Sequence, residues 1–137
     1  MEILNLSELA APLEKLRPDV IDAYERIDER WSEVADILAK LTLPCKISVV
    51  VECHDPQHRD WKTLEWRKHK GTKKLCLTDY CEIIQGDGEL YVSETVTPYE
   101  EWSATKRLET LAYVPKLFSN GIEQVQIFIA KAKGETE

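Results

Sequence analysis

Apolar residues recur at helical spacing through the first third of the chain, and then the period drops to two. Val20, Tyr24, Ile27, Trp31, Val34, Leu38 and Leu41 follow one another at intervals of four and three, which lines them along one side of an α-helix. Pro18 suits a first helical turn, and Asp19 and Asp22 suit the positive end of the helix dipole. The pattern predicts a helix over 19–41, closed by Pro44, lying across a sheet or forming the seam of a homodimer. Ile21 and Ile37 widen the stripe, as a core-facing helix requires. Upstream, Leu9, Leu13 and Leu16 keep helical spacing, but Pro12 lacks an N–H and interrupts it. Residues 1–17 therefore read as a short broken helix or docking arm.

From Cys45 the alternation is that of strands. Cys45, Ile47, Val49, Val51 and Cys53 fall on one face, Lys46, Ser48, Glu52 and His54 on the other. Leu64 and Trp66 oppose Glu65 and Arg67; Leu75, Leu77, Cys81 and Ile83 oppose Cys76, Thr78, Tyr80 and Glu82. A basic, glycine-containing turn near Gly71 joins these two strands. Gln85-Gly86-Asp87-Gly88 is a hairpin turn, because Gly and Asp tolerate the positive φ such turns demand. Leu90, Val92 and Val96 then line the apolar side of a fourth strand, with Tyr91, Ser93 and Thr95 opposite. Thr97-Pro98-Tyr99-Glu100 has capping-box spacing, so helix resumes there or at Ser103, and Pro115 marks a bend into a last helix that stops at Gly134.

These elements compose a single α+β domain over 1–137: a long N-terminal helix, a four-stranded antiparallel β-meander, and C-terminal helices packed on one face of the sheet. The other face is expected to be polar, dotted with Tyr80 and Tyr91. At 137 residues and 43% hydrophobic content the chain can bury a core without disulfides. It shows no basic leader followed by an apolar run and no stretch of membrane-spanning length, so its four cysteines read as reduced thiols of a cytoplasmic protein.

Charge adds one feature. The net −7 divides into −5 over residues 1–53, +4 over 54–74 and −6 over 75–137, so a basic hairpin sits between acidic flanks. Arg59, Lys62, Arg67, Lys70, Lys73 and Lys74 surround Trp61 there. Cations for phosphates and an aromatic ring for stacking are what single-stranded nucleic acid needs. Lysines also solvate protruding turns and discourage edge-to-edge pairing, and the domain as a whole is acidic.

Other chemistry is poorly supported. Cys53, His54, His58, Cys76 and Cys81 include zinc-type ligands, but Cys76 and Cys81 lie five apart in one strand, on opposite faces. Adjacent Cys53 and His54 point apart and cannot form a nucleophile–base pair. No nucleophile elbow, zinc-protease helix or phosphate-cradling loop occurs. Carboxylates such as Asp55, Asp60, Glu65 and Asp79 read as ordinary exposed charges.

The run Leu64-Glu65-Trp66-Arg67-Lys68 through Leu75-Cys76, then Thr97-Pro98-Tyr99-Glu100-Glu101-Trp102-Ser103 and Arg107-Leu108-Glu109 to Pro115-Lys116-Leu117-Phe118, resembles a family of small bacterial proteins of planctomycete type. The resemblance covers the last two-thirds of the chain. It implies a bacterial origin, and since that family has no assigned function it carries over no functional residue. The expectation is a non-enzymatic protein-interaction or regulatory module without metal or cofactor, contacting an unidentified protein through Arg59, Trp61, Lys62, Arg67, Lys70, Lys73, Lys74, Tyr80 and Tyr91, as a monomer or as a homodimer through helix 19–41. The alternative is single-stranded nucleic-acid binding through the hairpin 59–74.

Overall fold

The computed structural model describes residues 4–53 and 59–134; His54 and His58 lie outside the described residues. The chain runs α1 (Leu6–Glu14), α2 (Arg17–Leu41), β1 (Ile47–Cys53), β2 (Asp60–His69), β3 (Thr72–Ile84), β4 (Leu90–Pro98), α3 (Ala104–Thr110) and α4 (Val114–Ala132). The strands form one antiparallel sheet in the order β1-β2-β3-β4, the meander that the alternation predicts.

Both hairpins turn where the sequence is permissive. Lys70 (φ 52°) and Gly71 (φ 88°) are left-handed between the paired residues His69 and Thr72, the two-residue turn whose twist suits a hairpin. Gly88 (φ 85°) completes the β3–β4 turn, closed by Gly88 N–H to Gln85 C=O at 2.9 Å. Pro18 lies in the first turn of α2, and Thr42 ends that helix in the left-handed region. Ser103 caps α3 by accepting from Lys106 N–H, and a proline opens α4.

The core lies between the sheet and the helices. Ile47, Val49, Leu64, Trp66, Leu75 and Leu77 face Trp31 and Leu38 of α2, Leu117 of α4, and Trp102, all buried. Gly121 lets α4 approach β1 closely: a Cβ there would stand 3.2 Å from Ile47 Cδ1. Trp102 meets Trp31 and Tyr99 edge-on at centroid distances of 5.3 and 5.1 Å, and Trp31 and Tyr99 lie tilted to each other at 6.0 Å. Trp31 Nε1 donates to Arg107 C=O at 2.8 Å, and Arg107 pairs with Asp28 at 3.1 Å while lying over the Tyr99 ring. Tyr99 donates its hydroxyl to the same Asp28. Through this cluster α2 is fixed to the segment between β4 and α3.

Two facings differ from the sequence pattern. The β1–β2 register shifts between Val50 and Glu52, so Val51 is an extra residue. A bulge of this kind reverses the faces beyond it. Cys53 therefore pairs with Trp61 on the side away from the helices and is exposed, instead of joining Ile47 and Val49 in the core. In β4, Tyr91 pairs with Ile83 and Val92 with Glu82. That places Tyr91 on the helix side and Leu90, Val92 and, opposite Thr78, Val96 on the other, the reverse of their predicted facing. Leu90, Tyr91 and Val92 are all exposed; this end of the sheet buries neither face, and an unburied strand's alternation does not decide its facing.

Candidate interaction surfaces

The sheet face away from the helices is organised by a carboxylate. Glu65, only 1% exposed, accepts from Thr78 (2.7 Å) and Arg67 (3.1 Å) on Oε1 and from Thr63 (2.7 Å) and Tyr80 (2.6 Å) on Oε2. Lys46 Nζ stands 3.5 Å from Oε2 and donates to the Tyr80 hydroxyl at 3.0 Å. Burial pushes the Glu65 carboxyl up, but the hydrogen bonds from Tyr80, Thr78 and Thr63 and the Lys46 charge outweigh it and hold the carboxyl below its ordinary range. Burial and the bond to Glu65 raise Tyr80. A carboxylate offers about four lone-pair sites, and four donors occupy them. Glu65 is thus held as a carboxylate and anchors Tyr80, Arg67 and the strands that carry them.

Reading Glu65 as an ordinary exposed charge is accordingly corrected. The signal available in the sequence is the alternation of Thr63, Glu65 and Arg67 on one strand and of Lys74, Thr78 and Tyr80 on the next, which gather on one face once the register sets Thr63 against Thr78 and Arg67 against Lys74.

The hairpin cations are divided between the two faces, and most have partners within the chain. Arg67 bridges Glu65 and Glu94 at 3.1 Å each, which keeps it charged despite its burial. Lys74 pairs with Glu100 at 2.7 Å. On the helix side Lys62 stands 3.7 Å from Asp79, and Lys73 donates to Leu43 C=O. Trp61 stacks on Tyr80 at 5.3 Å, so one of its ring faces is already covered. Arg59 and Lys70 are exposed at opposite ends of β2. Tyr91 lies on the opposite face from Tyr80 and does not join it in one surface. Among the described residues no group of three or more His, Cys, Asp or Glu side chains is placed to hold a metal ion.

The helices carry the larger apolar surface. The stripe of α2 continues backward without a break: Leu6, Leu9, Leu13, Leu16, Val20, Tyr24, Ile27, Trp31, Val34, Leu38 and Leu41 keep intervals of three and four through both helices. Its later part is core, with Trp31 and Leu38 each 1% exposed. Trp31 and Leu38 are thus taken up by the chain's own core, which leaves the stripe upstream of them as the part of 19–41 open to a homodimer seam. The earlier part covers nothing. α1 buries no residue, and Leu6, Leu9, Leu13, Leu16, Val20 and Tyr24 are exposed by 44–72%. Pro12 is accommodated inside α1, with Asn5 capping its start. Near the other end of α2, an apolar recess of about 310 Å³ opens between Leu38, Leu41, Ile47, Phe118, Ile122 and Val125.

Among the described residues no helix is long and apolar enough to cross a membrane. No family model, curated protein or solved structure matches the chain.

Proposed function

We propose that this chain is a non-enzymatic protein-interaction module whose main contact surface is the helical arm formed by α1 and the first half of α2. What supports the reading is the apolar stripe that leaves the core at Tyr24 and runs on, exposed, to Leu6. A contiguous apolar surface of this size on a folded domain marks an association site. The polar side of the arm carries Glu8, Glu14, Asp19 and Asp22 against Lys15 and Arg17, a balance that disfavours an anionic membrane surface. Nucleic-acid binding through hairpin 59–74 draws less support, because Arg67 and Lys74 are neutralised by Glu65, Glu94 and Glu100.

The test is photocrosslinking in the source cells, with the reactive group at Leu9 or Leu13 and, as control, at exposed Asp36. Discrete protein adducts from the arm positions and none from Asp36 are expected. Equal labelling from all three sites would remove the reading. Saturable, salt-sensitive binding of a fluorescent single-stranded oligonucleotide, lost in Lys70→Glu, would put the hairpin in its place.

A further inference from the structure

Resting on that reading, we infer that the occupant of the arm is a second copy of this chain, paired antiparallel. The arm is too short to cover itself. The nine residues of α1 span roughly 14 Å, whereas Leu16 and Leu38 are roughly 33 Å apart along the helix. The arm therefore cannot fold back into the recess beside Leu38 of its own chain while α2 keeps its helix. Its stripe needs another molecule.

The stripe is also self-complementary. In a two-fold interface one surface must fit itself. Centred between Glu14 and Lys15, an antiparallel pairing sets Leu13 against Leu16 of the second copy, Leu9 against Val20, and Leu6 against Ala23. Every seam position is then apolar, as knobs-into-holes packing requires. At the flanking positions Arg17 meets Ala10 of the second copy and Asp19 meets Pro12, so no like charges are opposed.

The surface is also large enough to pair. Leu6, Leu9, Leu13, Leu16, Val20 and Tyr24 are all large and 44–72% exposed. At on the order of 100 Å² of apolar surface for each such side chain, they supply about three-quarters of the roughly 800 Å² per partner that a stable interface buries. Two sheets then stand at opposite ends of a central helical pair, on the order of 50 Å apart.

Sedimentation equilibrium and small-angle X-ray scattering of the purified full chain test this. The expected result is a concentration-dependent mass that doubles, an elongated particle with two separated lobes, and conversion to monomer by Leu9→Glu with Leu13→Glu. Both substitutions fall on exposed positions outside the core, so the thermal melt of the variant should stay that of the isolated domain. A monomer at all concentrations overturns the inference; if the arm still yields protein crosslinks in cells, the interaction reading stands with a different partner. A dimer that survives the double substitution overturns it too, since the seam then lies elsewhere. Lobes lying side by side overturn the antiparallel register.

Discussion

Gln124 grips the backbone of Ser48 by both of its polar groups: its side-chain oxygen accepts from Ser48 N–H at 2.8 Å and its nitrogen donates to Ser48 C=O at 3.3 Å. Asn120, one turn earlier on α4, donates to the same carbonyl at 3.3 Å. Two amide side chains thus stand where a fifth strand would pair. An uncovered edge strand is a template for association, and here a helix covers it.

Gln124→Ala should therefore lower stability by about 1–2 kcal/mol, the cost of leaving part-buried polar groups without partners. Asn120 still serves the carbonyl in that variant, so the loss concentrates on the N–H. Hydrogen exchange should quicken at the Ser48 amide more than at its neighbours on β2.

Removing the carboxylate under Tyr80 should cost more. Glu65→Ala leaves Arg67 and Lys46 beside a void in place of their anion, and breaking such a buried pair costs about 3–5 kcal/mol. The pH dependence has a defined sign. The folded carboxyl lies below the unfolded value of about 4.3. Its contribution is complete above that pH and fades as the pH falls through the depressed folded value. Urea titrations from pH 6 to 2 should show a shallower acid limb in Glu65→Gln than in the parent.

At Gly121, helix propensity and packing oppose each other. Alanine would add about 1 kcal/mol of helix propensity, but its Cβ would stand 3.2 Å from Ile47 Cδ1 and 3.3 Å from Cγ2. Overpacking a buried contact costs about 1–3 kcal/mol, so Gly121→Ala should lose about 1 kcal/mol on balance. Ile47→Val removes the nearer methyl, and the double substitution should be more stable than the two single effects predict, by at least about 0.5 kcal/mol in a chemical-denaturation cycle.

The thiols should separate kinetically. Burial pushes Cys76 up to about 11, leaving roughly one thiolate in a thousand at pH 8. Cys81 is exposed on the same strand. A disulfide reagent at pH 8 should modify Cys81 on mixing and reach Cys76 only as the chain unfolds, read by mass spectrometry of the peptides. Prompt modification of Cys76 would mean that its side of the sheet opens far more readily than its packing implies.

Much of this architecture was legible in the residues. The intervals from Val20 to Leu41 mark a helix, the alternation around Leu64 and Trp66 marks a buried face, and Gly71 and Gly88 mark the turns. A stripe, however, reports the period of a helix and not the extent of the sheet beneath it, so Leu16 and Leu38 look alike in sequence while one is exposed and the other is core. Glu65 looks like any charge on a strand until the register brings Thr78 and Tyr80 beside it. Cys53 and Tyr91 were misplaced for two separate reasons: an inserted residue, and a strand end that buries nothing.

That inserted residue has a consequence of its own. Before Val51 the outward residues of β1 are Ser48 and Val50; after it Glu52 turns inward to meet Lys106 of α3 at 2.9 Å, and Cys53 turns out beside Trp61. The unpaired residue lets Glu52 and Cys53 keep the alternation that Ser48, Val49 and Val50 begin. Replacing Val51 by another side chain leaves that alternation intact, and deleting it would close the bulge, with Glu52 following Val50 directly, still opposite Lys62 and facing Lys106, and Cys53 still outside opposite Trp61. Of the residues of β1, Val51 is the one that the ladder with β2 can lose without a change of facing.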